Sequence, residues 1–256
     1  MDEKAYYHGV LEKMMAAHAT PKTAEWFTNY LKGVITYRGL KTGMLKEVLK
    51  EFFETTHLNK KTDQEQLDHI RYWLSKPMAE DKLIAIVWLQ QWIKAQIQKS
   101  KTSPGIAQVF DHLEDVFEKG DIYDWSTNDW LCVRILETIP VAAPSYVPRL
   151  MSWSQSESLW QRRSSILVFK KCGKMGDYHQ QIEQLIECLL PSDERFIQTA
   201  IGWVLSDASR KHPEWAYELF KTHFDHLSHE VIYRHTKYLP QHQDLKMRSR
   251  KRNAAR

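Results

Sequence analysis

At 256 residues, 43% hydrophobic and 27% charged, the chain can bury a sizeable core, and its composition excludes the disordered and fibrous classes. A net charge of +4 and a pI near 8.8 give only a mild attraction for phosphate. No apolar run approaches the ~20 residues that span a bilayer, the acidic, polar start MDEKAYYHGV does not read as a secretory signal, and three cysteines outside any CxxC pair argue against a zinc or disulfide framework. A cytoplasmic, reducing setting is expected, in a bacterial cytosol or nucleoid.

In chain order, the apolar spacing predicts helix over 2–18, with Tyr6, Val10, Leu11, Met14 and Met15 in register, and over 21–33, with Pro21 in the first turn. YRGLK at 37–41 breaks the pattern at Gly39. Thr42 is placed to cap a helix reaching His57, with Leu45, Val48, Leu49 and Phe52 inward. Helix pairs follow: 63–76 with 79–97, 106–118 with 125–138, 144–155 with 158–173, 178–189 with 194–211, and 213–224 with 228–238. Prolines 77, 104, 140, 191, 213 and 240 fall at or beside the breaks, where proline belongs when helices alternate with turns. Successive pairs begin roughly 35 to 44 residues apart, the spacing of two-helix HEAT-type repeats. The expected architecture is all-α, a curved α-solenoid of HEAT-like pairs forming one domain over 1–242, with a basic, flexible tail at 243–256. Such an array offers a concave face for binding.

The stretch IYDWSTNDWLCVRILE at 122–137 reads as a short loop entering a helix. Trp125 and Asp129 are four apart and share a helical face. Ring and carboxylate together could hold a cation, although a packed Trp beside a capping or salt-bridged Asp accounts for the spacing equally well. Trp73, Trp88 and Trp92 lie within apolar stripes and read as core. In FIQTAIGWVL at 196–205, Ile197, Ala200, Ile201 and Val204 form the inward stripe, and Trp203 lies at its edge. In LWQRRSSILVF at 159–169, Arg162 and Arg163 precede two serines and could grip a phosphate, or simply form a solvated basic face. His223, His226 and His229 approach metal spacing but straddle a helix end, and read as surface. There is no HExxH, GxGxxG, GxxxxGK[ST] or GxSxG.

FIQTAIGWVL, followed by a polar, basic turn into His212-Pro213, resembles the AlkD-type DNA alkylation repair glycosylases. LWQRRSSI at 159–166, WSTND at 125–129 and NYLKGVITYRGLK at 29–41 are similar to further segments of that family, in the same order, across residues 5 to 240. The resemblance implies HEAT-like repeats whose basic concave face holds duplex DNA, and removal of N3- and N7-alkylated purines by cleavage of the N-glycosidic bond, without a deep pocket for a flipped base. It implies Asp129 as catalytic carboxylate, Trp125 and Trp203 as aromatics around the deoxyribose, Arg163 with Arg162 on the phosphate, and Tyr30 against DNA. There are departures. Thr42-Gly43 stands where relatives have Thr-Pro, Asp124 splits an aromatic doublet before Trp125, and the basic tail is extra.

These residue types suit the chemistry. An alkylated purine is cationic and leaves readily, so one carboxylate near the oxocarbenium-like sugar suffices, with no general acid, metal or redox cofactor. Trp faces add cation–π attraction of about 0.5–2 kcal/mol each. The expected protein is a monomeric, monofunctional glycosylase of the 3-methyladenine/7-methylguanine type acting on double-stranded DNA. Two other readings stay open: a noncatalytic binder of branched or bent DNA on the same scaffold, and a protein-interaction solenoid.

Overall fold

Ala79–Lys99, AEDKLIAIVWLQQWIKAQIQK, is apolar on every side from Leu83 to Leu89, about two turns, and a stretch of helix with no polar face must be enclosed. In the computed structural model, which describes residues 2–99 and 104–254, this helix (α5) runs through the middle of the first of two compact units, Met1–Ile135. Around it in that unit are α1 (Glu3–His18), α2 (Pro21–Tyr30), α3 (Met44–Thr56), α4 (Asp63–Leu74), α6 (Pro104–Glu118) and α7 (Trp125–Arg134). Helix α5 packs on α3, α4, α6 and α7. Trp73, Trp88 and Trp92 are buried there, as the stripes predict. The turn expected between α5 and α6 falls on 100–103, outside the described residues.

The second unit, Leu136–Arg256, holds α8 (Ile139–Ala142), α9 (Val147–Ser152), α10 (Leu159–Leu167), α11 (Lys170–Met175), α12 (His179–Leu189), α13 (Arg195–Ala208), α14 (Pro213–Thr222), α15 (His229–His235) and α16 (His242–Ala254). Its centre is α13, which packs on α10, α11, α14 and α15. Ile197, Ala200, Ile201 and Val204 are all fully buried, as their spacing predicts. Among the described residues the one extended pairing is an isolated bridge between Thr36 and Met78, so the chain is all-helical. No described helix is long and apolar enough to cross a membrane.

Short polar residues start the helices as capping requires. Thr20, Ser158 and Ser228 accept the N–H of Thr23, Gln161 and Val231, and Thr62 forms a reciprocal capping box with Glu65. Thr42 does not cap α3; Gly43 holds that position with no side-chain bond.

Three further expectations change. The helices expected over 144–155 and 158–173 are broken. Prolines at the first turns restart short pieces at Pro144 and Val147, and the Ser164 and Ser165 hydroxyls bond back to the carbonyls of Trp160 and Arg162 at 2.8 and 2.7 Å, which bends a helix shortly before α10 ends. The residues expected as one domain over 1–242 are shared between the two compact units above. The tail expected to be flexible from 243 is helix α16 to Ala254. Leu245 and Ser249, four apart, are buried, Ser249 Oγ lies 2.9 Å from His229 Nδ1, and the Arg252 guanidinium donates to the carbonyls of Phe224 and Leu227. Residues 255 and 256 of the tail lie outside the described residues.

Candidate nucleic-acid interface

In the first unit the candidate residues gather at the start of α7. Asp124, 1% exposed, caps this helix: its carboxylate accepts the N–H groups of Ser126 and Thr127 at 2.8 and 3.1 Å and the Thr127 hydroxyl. Burial pushes the Asp124 pKa up, and the Thr127 and Ser126 donors pull it part of the way back. The loop entering α7 is pinned from below. Buried Lys82 donates to the carbonyls of Leu74 and Asp121 at 2.6 and 2.7 Å, while Arg71 reaches the Asp115 and Asp121 carboxylates at 2.6 and 2.7 Å. Burial lowers the Lys82 pKa to about 8 against the pull of Asp121 and Asp124.

This frame presents Trp125 and Asp129 half-buried, one helical turn apart. The Tyr30 ring meets Trp125 edge-on with centroids 5.4 Å apart, and Trp26 stacks on Tyr30 at 5.1 Å and 15°. Phe27 stacks on Tyr37 at 4.1 Å, and the Tyr37 hydroxyl lies 3.4 Å from Ser126 Oγ. Burial pushes the Tyr37 pKa up to about 12.

In the second unit, Trp203 is half-buried on α13, and the Lys170 ammonium lies 5.1 Å from the centre of its ring. Lys170 also pairs with Asp207 at 3.2 Å and Glu137 at 3.8 Å. Burial raises the Glu137 pKa, opposed by Lys170 and Lys171. Gly202, just before Trp203, lets α15 come close: a Cβ there would stand 2.6 Å from the His235 ring. Burial, then the neighbouring Arg234 charge, holds the His235 pKa down at about 4.

A family model described as DNA alkylation repair enzyme matches residues 11–239. The chain belongs to the DNA alkylation repair enzyme family. A solved structure with a similar fold, described as a predicted DNA alkylation repair enzyme from Enterococcus faecalis, has a TM-score of 0.68 and 20% sequence identity, and the match covers 90% of this chain and 95% of that one. No curated protein matches the sequence.

Within this DNA alkylation repair family member, the first unit brings together Tyr30, Trp125 and Asp129. The second holds Trp203, Arg162 and Arg163. Arg162 is half-buried and donates to the carbonyls of Ser156 and Glu157 at 2.7 and 3.0 Å. Arg163, expected on a phosphate, is 4% exposed; its guanidinium donates to the Phe196 carbonyl and to Thr199 Oγ1 at 3.2 Å. So placed, it braces α10 against α13 instead of offering its fork to a backbone.

Sequence reasoning passed over Trp26, Lys170 and the capping role of Asp124. The signals were present. Trp26 and Tyr30 are i and i+4, and an Asp before Trp-Ser-Thr is a ready helix start. A cluster of possible ion ligands, His8, Glu12 and Asp81, is already occupied by a cation: Arg38 lies 2.9 Å from Asp81 and 2.6 Å from Glu12.

Proposed function

We propose that this chain is a monofunctional DNA glycosylase that removes N3- and N7-alkylated purines from duplex DNA, its helix pairs stacking as HEAT-like repeats around the double helix. The observation that carries this reading is the start of α7, where a half-buried carboxylate and an indole occupy one face of a helix whose first turn is fixed by a buried cap.

The chemistry follows from charge. Alkylation at N3 or N7 makes the purine cationic, so the glycosidic bond breaks by departure of a neutral base, with positive charge moving onto the sugar. Asp129 opposes that charge and orients the attacking water. Trp125 offers a ring face to the same cation. A fixed carboxylate is effective because it needs no reorientation as charge develops. Tyr30 holds Trp125 and meets the strand beside the sugar. Arg162 supplies positive charge from the second unit, which sets position and not sequence preference.

The test is release of free 7-methylguanine from methylated duplex DNA. Asp129→Asn is expected to cut the single-turnover rate by about 10²–10³-fold, the usual loss for one electrostatic stabiliser, while the dissociation constant for DNA changes little. Excision by that variant at the wild-type rate would remove Asp129 from the chemistry.

A further inference from the structure

Helix α2 has no buried residue, and its Trp26 and Tyr30 are 58% and 55% exposed. Tyr30 covers one face of the Trp26 ring. Against Trp26 lies a cavity of about 460 Å³, walled also by Phe27, Lys22, Lys41 and threonine hydroxyls. That volume is within the range of small-ligand sites, roughly 300–1,000 Å³.

The walls are preformed. Thr20 N–H donates to the Gly39 carbonyl at 3.0 Å. Gly39 has φ +104°, and a Cβ there would fall 2.2 Å from the Thr20 carbonyl, so glycine alone lets the two segments meet. The fully buried Glu80 carboxylate accepts the N–H groups of Arg38, Gly39 and Leu40 at 2.9, 2.8 and 3.0 Å. The segment 38–42 is therefore locked to the start of α2, which sets Lys41 and Thr42 beside Lys22 and Thr23.

An exposed indole, two ammonium groups and several hydroxyls, with no carboxylate in the wall, match a ligand that joins a flat ring to an anion. We propose that this cavity is a nucleotide subsite, in which an unpaired base of the DNA strand stacks on Trp26 while the adjoining phosphate is taken by Lys22 and Lys41. The proposal rests on the reading of the chain as DNA-acting and deepens it. It makes DNA with a locally unpaired nucleotide a better ligand than an intact duplex, because every base has a face that stacks.

The experiment compares two duplexes, one fully paired with a 2-aminopurine in the stack and one carrying it as a single-nucleotide bulge. Wild type is expected to bind the bulged duplex about 5- to 160-fold more tightly, the range that base–aromatic stacking spans, and to change the probe's fluorescence only there. Trp26→Ala should erase the preference. Trp26→Phe should restore most of it. Lys22→Ala with Lys41→Ala should weaken both duplexes and reduce the salt slope by about one to two. A Trp26→Ala protein that keeps the preference, or loses affinity equally for both duplexes, overturns the proposal. So does sedimentation showing that Trp26→Ala only converts a dimer to a monomer, which would make the patch a contact between copies. Bulge preference lost with Trp26, together with no base release by wild type, would support this subsite while ending the glycosylase reading.

Discussion

Helices α7 and α13 carry the same residue type and surround it differently. Trp125 is held by rings, with Tyr30 on its edge, Trp26 behind Tyr30, and Asp129 one turn along. Trp203 is held by charges, with Lys170 near its ring and Asp207 and Glu137 anchoring that lysine. An indole beside an acid favours a cation arriving from the ligand. An indole facing an ammonium that two carboxylates already pair has no such opening for a cation. On the proposed function the first unit meets the cationic sugar and the second meets phosphates through Arg162, and the two arginines of α10 are where this division is most easily broken.

If the positive charge of the second unit that meets DNA comes from Arg162, then Arg163→Ala should act on stability and not on salt dependence. Removing it leaves the Phe196 carbonyl without that donor inside the unit, at a cost of about 1–3 kcal/mol. Thermal or denaturant unfolding measures that loss. Titration of duplex binding at several salt concentrations should return the wild-type slope. A slope lower by about one would restore a phosphate contact to Arg163.

The matching experiment in the first unit is Asp124→Ala. The cap satisfies two backbone N–H groups and one hydroxyl, so its loss is expected to destabilise by about 0.5–2 kcal/mol. It should also slow excision, because Trp125 and Asp129 ride on the turn it fixes. Asp124→Asn, which keeps an accepting oxygen, should recover most of both. Recovery of stability without recovery of rate would mean that the charge of Asp124, and not the cap, is what the site uses.

The sequence made part of this legible. Repeated apolar spacing located most of the helices to within a few residues, because burial of one face is written into 3.6-residue periodicity. The inward stripe of α13 and the edge position of Trp203 followed from the same rule. Adjacent arginines defeated it. Residues 162 and 163 point roughly 100° apart on a helix, and which of the pair turns inward depends on the Phe196 carbonyl, 33 positions later. The tail was misread for a related reason. Its eleven residues from Lys246 are dominated by charge, while two small anchors, Leu245 and Ser249, find their partners only once α15 is in place. Trp26 was passed over because an aromatic at helical spacing ordinarily means packing, and only the open cavity beside it distinguishes it from Trp73 or Trp88.

The last expected effect bears on the packing of α15 against α13. His235 packs against Gly202, beside Trp203, and burial with the Arg234, Arg163 and Lys237 charges outweighs Glu230 to hold its folded-state pKa at about 4. The unfolded chain takes up that proton near the ordinary value of about 6.5. Between these values the unfolded state binds more protons than the folded one, so stability rises with pH across the window and is lost as pH falls from 6.5 toward 4, with no further loss from this group below 4. Buried His69 and half-buried His112 in the first unit add loss of the same sign, so the informative quantity is a difference. His235→Gln should show a smaller drop in melting temperature than wild type between pH 6.5 and 4.5. Equal drops would mean that the His235 ring reaches water at the edge of α13, and that the close approach at Gly202 opens without cost.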